Sequence, residues 1–460
     1  MALGPSSTFN LLDWLYLDQD VASLLSFEAT FRSWVQVEIA LAETQFELEQ
    51  ISGDAIEAIR KLALMPLPDP AEFLFAARNV GYPIIELVAV MNRRLPVEHR
   101  GILHLGATTQ DIMDSGLAIQ IRAVGELLKA RIVNIGDGLA GLAIKHAQTL
   151  MPGRTHAQHA TPTTFGLKCS VYLGEITRHT RRIQDALDES TCVSLFGAAG
   201  TAAALGEQAA EIRKSVAVKL GLRDVSAPRH VSRDSFLELA FGCSMVCTTL
   251  VRFAREIVDL SRTEIAEVTE SEGWHRGASS TMPQKRNPIT SEAIIGMGLA
   301  GIGAATQMSR AAEAQHERAA GEWHLEWKAL PETLSATASA LALADALIDG
   351  LCVDPERMMT NLQADHDLIL SEAYMIELAK TLGREEAHDL IYRAAREARV
   401  QGIKLHEALL LGNPDVASLM KKWPLAVTDY LGQAPAICRE QLANWQAAKR
   451  EFSLAGIAVS

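Results

Sequence analysis

The chain has 460 residues, 48% of them apolar, which is enough for a large core and excludes disorder as the dominant state. Its formal net charge of −13 excludes a general nucleic-acid or anionic-membrane surface, because attraction to phosphate needs clustered excess Lys and Arg. Aromatic residues make up only 5%, Ala and Leu abound, and no sustained run of alternating β-branched residues occurs, so an all-α protein is expected. The cysteines, at positions 169, 192, 243, 247, 352 and 438, are too sparse for a secreted disulfide framework and fit a reducing cytoplasm. The first basic residue is Arg32, which leaves no charged n-region for a signal peptide, and no apolar run reads as membrane-spanning. A soluble, cytoplasmic protein is the expectation.

In chain order, three helical domains are predicted: 1–110, a central long-helix bundle over 111–354, and 355–460. Phe31 to Leu48 is the clearest early helix, with Trp34, Val37, Leu41 and Phe46 near helical spacing. Pro66-Leu67-Pro68-Asp69-Pro70 breaks the pattern as a loop. A polar block, His104 to Asp111, then precedes a strong helix whose buried stripe is Leu117, Ile121, Val124, Leu128 and Ile132. Three interruptions punctuate the bundle: Gly153 to Thr164, the small-residue run Phe196 to Gly206, and Gly277 to Pro288. Phe236 to Leu260 reads as a helix long enough to join distant ends of one domain. The last boundary falls at Asp354-Pro355-Glu356.

The third interruption is the chemically dense one. Within Gly277-Ala278-Ser279-Ser280-Thr281-Met282-Pro283-Gln284-Lys285-Arg286-Asn287-Pro288 lie hydroxyls, a lysine, an arginine and an asparagine, with His275 and Glu292 flanking. Glycine, small residues and two prolines suit a flexible loop leading into a helix, and the polar groups can together grip a carboxylate and move a proton. Arg154, Thr155, His156 and Gln158 form a second candidate site, and His104 with Thr108 and Thr109 a third. His156 and His159 lack a third ligand or an HExxH pattern, so no metal is expected. Gly296-Met297-Gly298-Leu299-Ala300-Gly301 matches GxGxxG but follows a helical pattern, so close helix contact explains it better than a dinucleotide. Cys243 and Cys247 read as core thiols, His316-Glu317-Arg318 and Trp323-His324 as a helix face, and His388 and His406 as surface or structural histidines.

Taken together these blocks resemble the fumarase/aspartase superfamily. Its signature, Ser-Ser-x-Met-Pro-x-Lys-x-Asn, is met in full by Ser279 to Asn287; His104 to Asp111 and Gly153 to Thr164 resemble its other shared blocks, and Arg233-Asp234 the arginine-aspartate of adenylosuccinate lyases. The likeness runs from about Phe27 to the last helices and is nearest to the branch of adenylosuccinate lyase and 3-carboxy-cis,cis-muconate cycloisomerase. Gln315-His316-Glu317-Arg318, Trp323-His324-Leu325-Glu326-Trp327 and Gly383-Arg384 with Ala387-His388 are most similar to the cycloisomerase. His156 and Glu292, which classical bacterial cycloisomerases tend to replace or lose, lean toward a lyase. The serine-rich tract that follows His-Glu-Arg in adenylosuccinate lyases is replaced by Ala319-Ala320-Gly321-Glu322-Trp323, which argues against a nucleotide phosphate there.

The resemblance implies an enzyme that performs anti elimination on an N- or O-substituted succinate through a carbanion, with Ser279 as base and His156, oriented by Glu292, as acid. Lys285 and Asn287 would stabilise the enediolate; Thr108, Thr109, Thr155 and Gln158 would hold carboxylates, with His104, Ser280, Met282, Arg233 and Arg318 as further substrate contacts. It implies a small anionic dicarboxylate substrate, no cofactor, and a homotetramer in which each site gathers the three blocks from three chains. The expected activity is a C–N lyase cleaving an N-substituted aspartate to fumarate and an amine; a lactonising cycloisomerase is the alternative, and a non-catalytic structural member of the fold the third reading.

Overall fold

The computed structural model describes residues 9–454. They form seventeen α-helices and four short strands, the all-α architecture expected. The long helices are α1 (Phe27–Glu47), α2 (Thr109–Lys145), α3 (Phe165–Ser190), α4 (Asp234–Leu260), α5 (Ile289–Ala311), α6 (Glu322–Asp349) and α7 (Ala434–Leu454). Their start points follow local chemistry. Ser26 caps α1 by accepting from the Ala29 N–H at 3.1 Å, so this helix begins earlier than the apolar pattern suggests. Pro70, expected in a loop, opens the helix Pro70–Arg78, where its missing N–H costs nothing.

The largest core joins α2 to α6 with α7, and Ile121, Val124, Leu128 and Ile132 of α2 are fully buried in it. A second core combines residues from Phe31 to Ala118 with Val193 to Leu222. A third holds Leu362 to Met420. The first two cores therefore combine separated stretches of chain, and the last helix returns to the central bundle. There the indole of Trp445 fits against Gly136 of α2 and donates to Asp137 at 2.9 Å.

Close packing explains the GxGxxG run on α5. A Cβ at Gly298 would come within 2.5 Å of Val251, and one at Gly301 within 3.1 Å of the Cys247 sulfur and 3.2 Å of Ala336, so these glycines let α4, α5 and α6 approach. Cys243 and Cys247 sit fully buried on α4, where burial pushes the Cys243 thiol up to about 12.

Three sequence expectations are corrected. Leu150–Thr155 and Gln158–Thr164 are not a loop but the antiparallel strands β1 and β2, joined by a two-residue turn. His316-Glu317-Arg318 lies in the turn between α5 and α6, with His316 at φ 54°, and not on a helix. Asp234–Leu260 and Ile289–Ala311 are long and apolar enough to cross a membrane, contrary to the sequence reading, but 61% and 50% of their most apolar windows lie inside the molecule. Their apolar character serves the bundle core, where a helix is covered on several sides.

Gly136→Ala would place a methyl 2.1 Å from the Trp445 ring, so this variant is expected to lose about 1–3 kcal/mol of stability by overpacking, measured by urea unfolding. An unchanged midpoint would mean that α7 shifts freely on α2.

Candidate active site

The first polar block sits where α2 begins. His104 adopts φ 64° and bonds through Nδ1 to Glu38 at 2.6 Å, while Thr108 is the N-cap of α2 and its backbone N–H donates to Asp111 at 3.0 Å. Asp111 is fully buried. It also accepts from the backbone N–H groups of Phe196 at 3.0 Å and Gly197 at 2.9 Å and pairs with His230 at 2.8 Å, which ties the small-residue run to this block. Arg318 arrives from the turn before α6, donating from Nε to Gln110 at 3.0 Å and from Nη1 to Thr108 at 3.2 Å. Its Nη2 is buried and has no acceptor among the described residues, a donor that an anion would satisfy. Burial opposes the charged form of His104, but the hydrogen bond and charge of Glu38, with Asp111, outweigh it and raise its pKa.

The second block is the tip of the β1–β2 hairpin. His156 and Ala157 are its two turn residues, both at positive φ, 51° and 62°, a conformation that usually selects Asn or Gly. A strained, exposed histidine at a hairpin tip is a displayed side chain, and among the described residues its ring has no hydrogen-bond partner. Thr155 and Gln158 flank it, both exposed. The hairpin is anchored one residue further back. Arg154 grips the buried Glu267 in two bonds, 2.9 and 2.6 Å, and Asn361 adds a third to the same carboxylate at 2.9 Å. His159 is disfavoured as a cation by burial and by Arg154, and among the described residues no three His, Cys, Asp or Glu side chains converge as a metal site.

The third block is the Gly277–Asn287 loop, closed at its neck. Asn287 N–H donates to Gly277 O at 2.9 Å, Ala278 bridges to Arg286, and Gly277 at φ 66° passes so close to Asn287 that a Cβ would come within 2.5 Å of its carbonyl. Within the loop the Ser279 hydroxyl accepts from the backbone N–H groups of Met282 at 3.2 Å and Thr281 at 3.3 Å. Two donors on one oxygen stabilise negative charge there. Glu270 holds the far end of the loop by accepting from Ser291 N–H at 2.8 Å, Thr290 N–H at 3.0 Å and the Ser291 hydroxyl at 2.8 Å, which satisfies the first donors of α5. Ser280, Met282 and Lys285 are exposed, Asn287 is half-buried, and Glu292 stands exposed on the first turn of α5; among the described residues neither the Lys285 ammonium nor the Glu292 carboxylate has a partner.

Not every predicted residue faces a ligand. Arg233, expected as a substrate contact, is buried with its guanidinium divided between Asp114, at 2.7 and 3.2 Å, and Glu326, at 2.8 Å, so it has no free face for a carboxylate. Thr109 is half-buried beside Thr108 and has no side-chain hydrogen bond among the described residues. Nor are the blocks adjacent within the chain. Block one lies at the start of the 37-residue α2 and block two follows its end, roughly 55 Å away at 1.5 Å per residue. The carboxylate anchors Glu38, Glu267 and Glu270 escaped the sequence reading because each acts on a distant segment. Glu267 and Arg154, for example, are separated by 113 positions.

Comparison with known proteins shows the family of the chain. A family model described as Lyase matches residues 22–303, and one described as Adenylosuccinate lyase C-terminus matches residues 367–440. A 3-carboxy-cis,cis-muconate cycloisomerase of Pseudomonas aeruginosa is 36% identical over 87% of this chain and 88% of its own. An N-acetyl-S-(2-succino)cysteine lyase of Dickeya dadantii is 33% identical over 87% of this chain and 89% of its own. The crystal structure of the 3-carboxy-cis,cis-muconate lactonizing enzyme from Pseudomonas putida superposes with a TM-score of 0.89 at 32% identity, covering 95% of this chain and 99% of that one.

The His104–Glu38 pair carries a pH signature. Because the folded pKa of His104 is raised above 6.5, its stabilisation is fully present below that value and is lost as pH rises through the folded pKa. The stability gap between wild type and Glu38→Gln is therefore expected to shrink as pH rises from about 6 to 9, followed by urea unfolding. A gap that stays constant would separate the pair from His104 titration.

Proposed function

The chain belongs to the fumarase/aspartase superfamily of enzymes, and from that membership we propose a C–N lyase that removes an amine from an N-substituted aspartate by anti β-elimination, releasing fumarate. The observation that carries the reading is the Ser279 hydroxyl seated between two backbone N–H groups. A serine acts as a base only where its alkoxide is stabilised; these donors support that role, and the Lys285 ammonium on the same loop would add to it.

The proton next to a carboxylate is very weakly acidic, so the site has to hold the enediolate that its removal creates. In this mechanism Ser279 takes the Cβ proton, Lys285 and Asn287 face the enediolate, and the electron pair then expels the amine. His156 gives that nitrogen its proton, acting near neutral pH as a histidine can. Glu292 would orient His156 and favour its charged form. Arg318, with one donor unmatched, and the Thr108 and Thr109 hydroxyls suit the substrate carboxylates, which Thr155 and Gln158 would also help to hold.

The separation of the blocks supports shared sites in a homotetramer. Arg318 joins block one, whereas Arg154 and Glu267 tie block two to the end of the bundle where block three begins. Antiparallel copies would set one end against the other and complete the site. A soluble cytoplasmic enzyme suits the six cysteines, all in the thiol form.

A cycloisomerase is the second reading, favoured by the named relatives at 36% identity and at a TM-score of 0.89. Ultraviolet assays that follow fumarate and 3-carboxymuconate separately decide between them. Ser279→Ala is expected to lower kcat on the true substrate by about 10²–10⁴-fold, and near-normal turnover would remove Ser279 as the base. Mixing inactive Ser279→Ala chains with inactive Arg318→Met chains is expected to restore measurable activity. Mixed oligomers, verified by mass spectrometry, without restored activity would rule out sites shared between those blocks.

A further inference from the structure

Beside the first block lies a cavity of about 680 Å³ between α1, the helix Pro70–Arg78, α2 and the start of α6. Its size is that of a small-molecule site. Four aromatic side chains, Trp34, Tyr82, Trp323 and Trp327, line it. Tyr82 and Trp323 stack at 5.7 Å and 22°, and Trp327 meets Trp323 edge-on at 4.9 Å, which makes a rigid wall suited to a flat or bulky apolar group.

The charge of the floor narrows the choice. Asp114 and Glu326 line the cavity, and both serve the single buried guanidinium of Arg233. Two carboxylates on one cation leave no positive charge to spare, and a phosphate placed here would meet acid oxygens where it needs donors. Arg78, the one cation in the lining among the described residues, is exposed.

The cavity adjoins the first block through a chain of hydrogen bonds. Gln110 donates to Asp114 at 3.2 Å and accepts from Arg318 at 3.0 Å, so the lining begins one turn of α2 beyond the Thr108–Thr109 hydroxyls. The relatives named above share a carboxylate-bearing centre but differ in the group attached to it, and such a group has to be recognised outside the shared blocks. We propose that this cavity seats the substituent of the leaving amine, and that the substituent is an uncharged aromatic or branched aliphatic group, not a phosphorylated nucleotide. The assignment rests on the elimination reading and deepens it by naming a substrate class.

The test compares fumarate release from N-benzylaspartate, N-methylaspartate and adenylosuccinate by the wild-type enzyme, Tyr82→Ala, Tyr82→Phe and Leu74→Phe, a half-exposed lining position. The wild-type kcat/KM is expected to favour the benzyl over the methyl compound at least tenfold, with no turnover of adenylosuccinate. Tyr82→Ala and Leu74→Phe should each cut that ratio tenfold or more, chiefly through KM, and Tyr82→Phe should keep it. Fumarate release with a ratio indifferent to both variants, or a preference for adenylosuccinate, overturns the assignment. Absence of fumarate from every N-substituted aspartate would instead sink the elimination reading. Benzyl alcohol binding, read as quenching of tryptophan fluorescence that Tyr82→Ala weakens, would then still support the apolar seat, and absence of quenching would overturn it.

Discussion

A rigid helix of 37 residues cannot bring its own ends together, and that constraint governs this molecule. α2 separates the Thr108 block from the His156 hairpin, while α4, of 27 residues, and α5, of 23, carry the chain from Arg233 to the signature loop and on to Arg318. A bundle of this kind gives stiff, well-buried rods with chemistry only at the ends. The proposed catalytic groups are thus divided between the two ends, and the shared site proposed above would form where copies pack end against end.

Each half-site is held by an acidic side chain that does not touch the proposed substrate. Asp111 organises the first block, Glu267 the hairpin through Arg154, and Glu270 the exit of the signature loop. The first two are fully buried, so removing a partner would leave an uncompensated charge inside, a loss of roughly 3–5 kcal/mol. That penalty is what makes these carboxylates stiff anchors. The segments they hold can then present His156 at a hairpin turn and Ser279 and Lys285 on a loop without secondary structure of its own to fix it.

This division explains what was legible in the sequence. The signature from Ser279 to Asn287, the His104 to Asp111 block and the apolar stripe of α2 depend on residues near one another in the chain, and they read correctly as loop, block and helix. The hairpin did not, because Pro152, Gly153 and Pro162 interrupt any strand period and its His156-Ala157 turn lacks the Asn-Gly signal. Arg233 misled for a different reason. Beside a catalytic block an arginine invites a ligand, and only the fold reveals Asp114 and Glu326 already on its guanidinium. Glu267 and Glu270 carry no local signature, since a carboxylate that anchors a remote segment looks like any other surface acid until the segment arrives.

The same logic separates reactivity from selectivity. The groups that would make and stabilise a carbanion lie on loops pinned by acids, and a change in any of them alters every substrate alike. The aromatic wall of Tyr82, Trp323 and Trp327 belongs instead to helix α6 and to the turn before Ile84–Arg94, outside all three blocks. Substitution there leaves the Ser279 hydroxyl and its two N–H donors in place, because no anchor of the loop passes through that wall. A fold built this way could keep one chemistry and change the group it releases, and the acidic pair on Arg233 argues against a phosphate beside the aromatic wall.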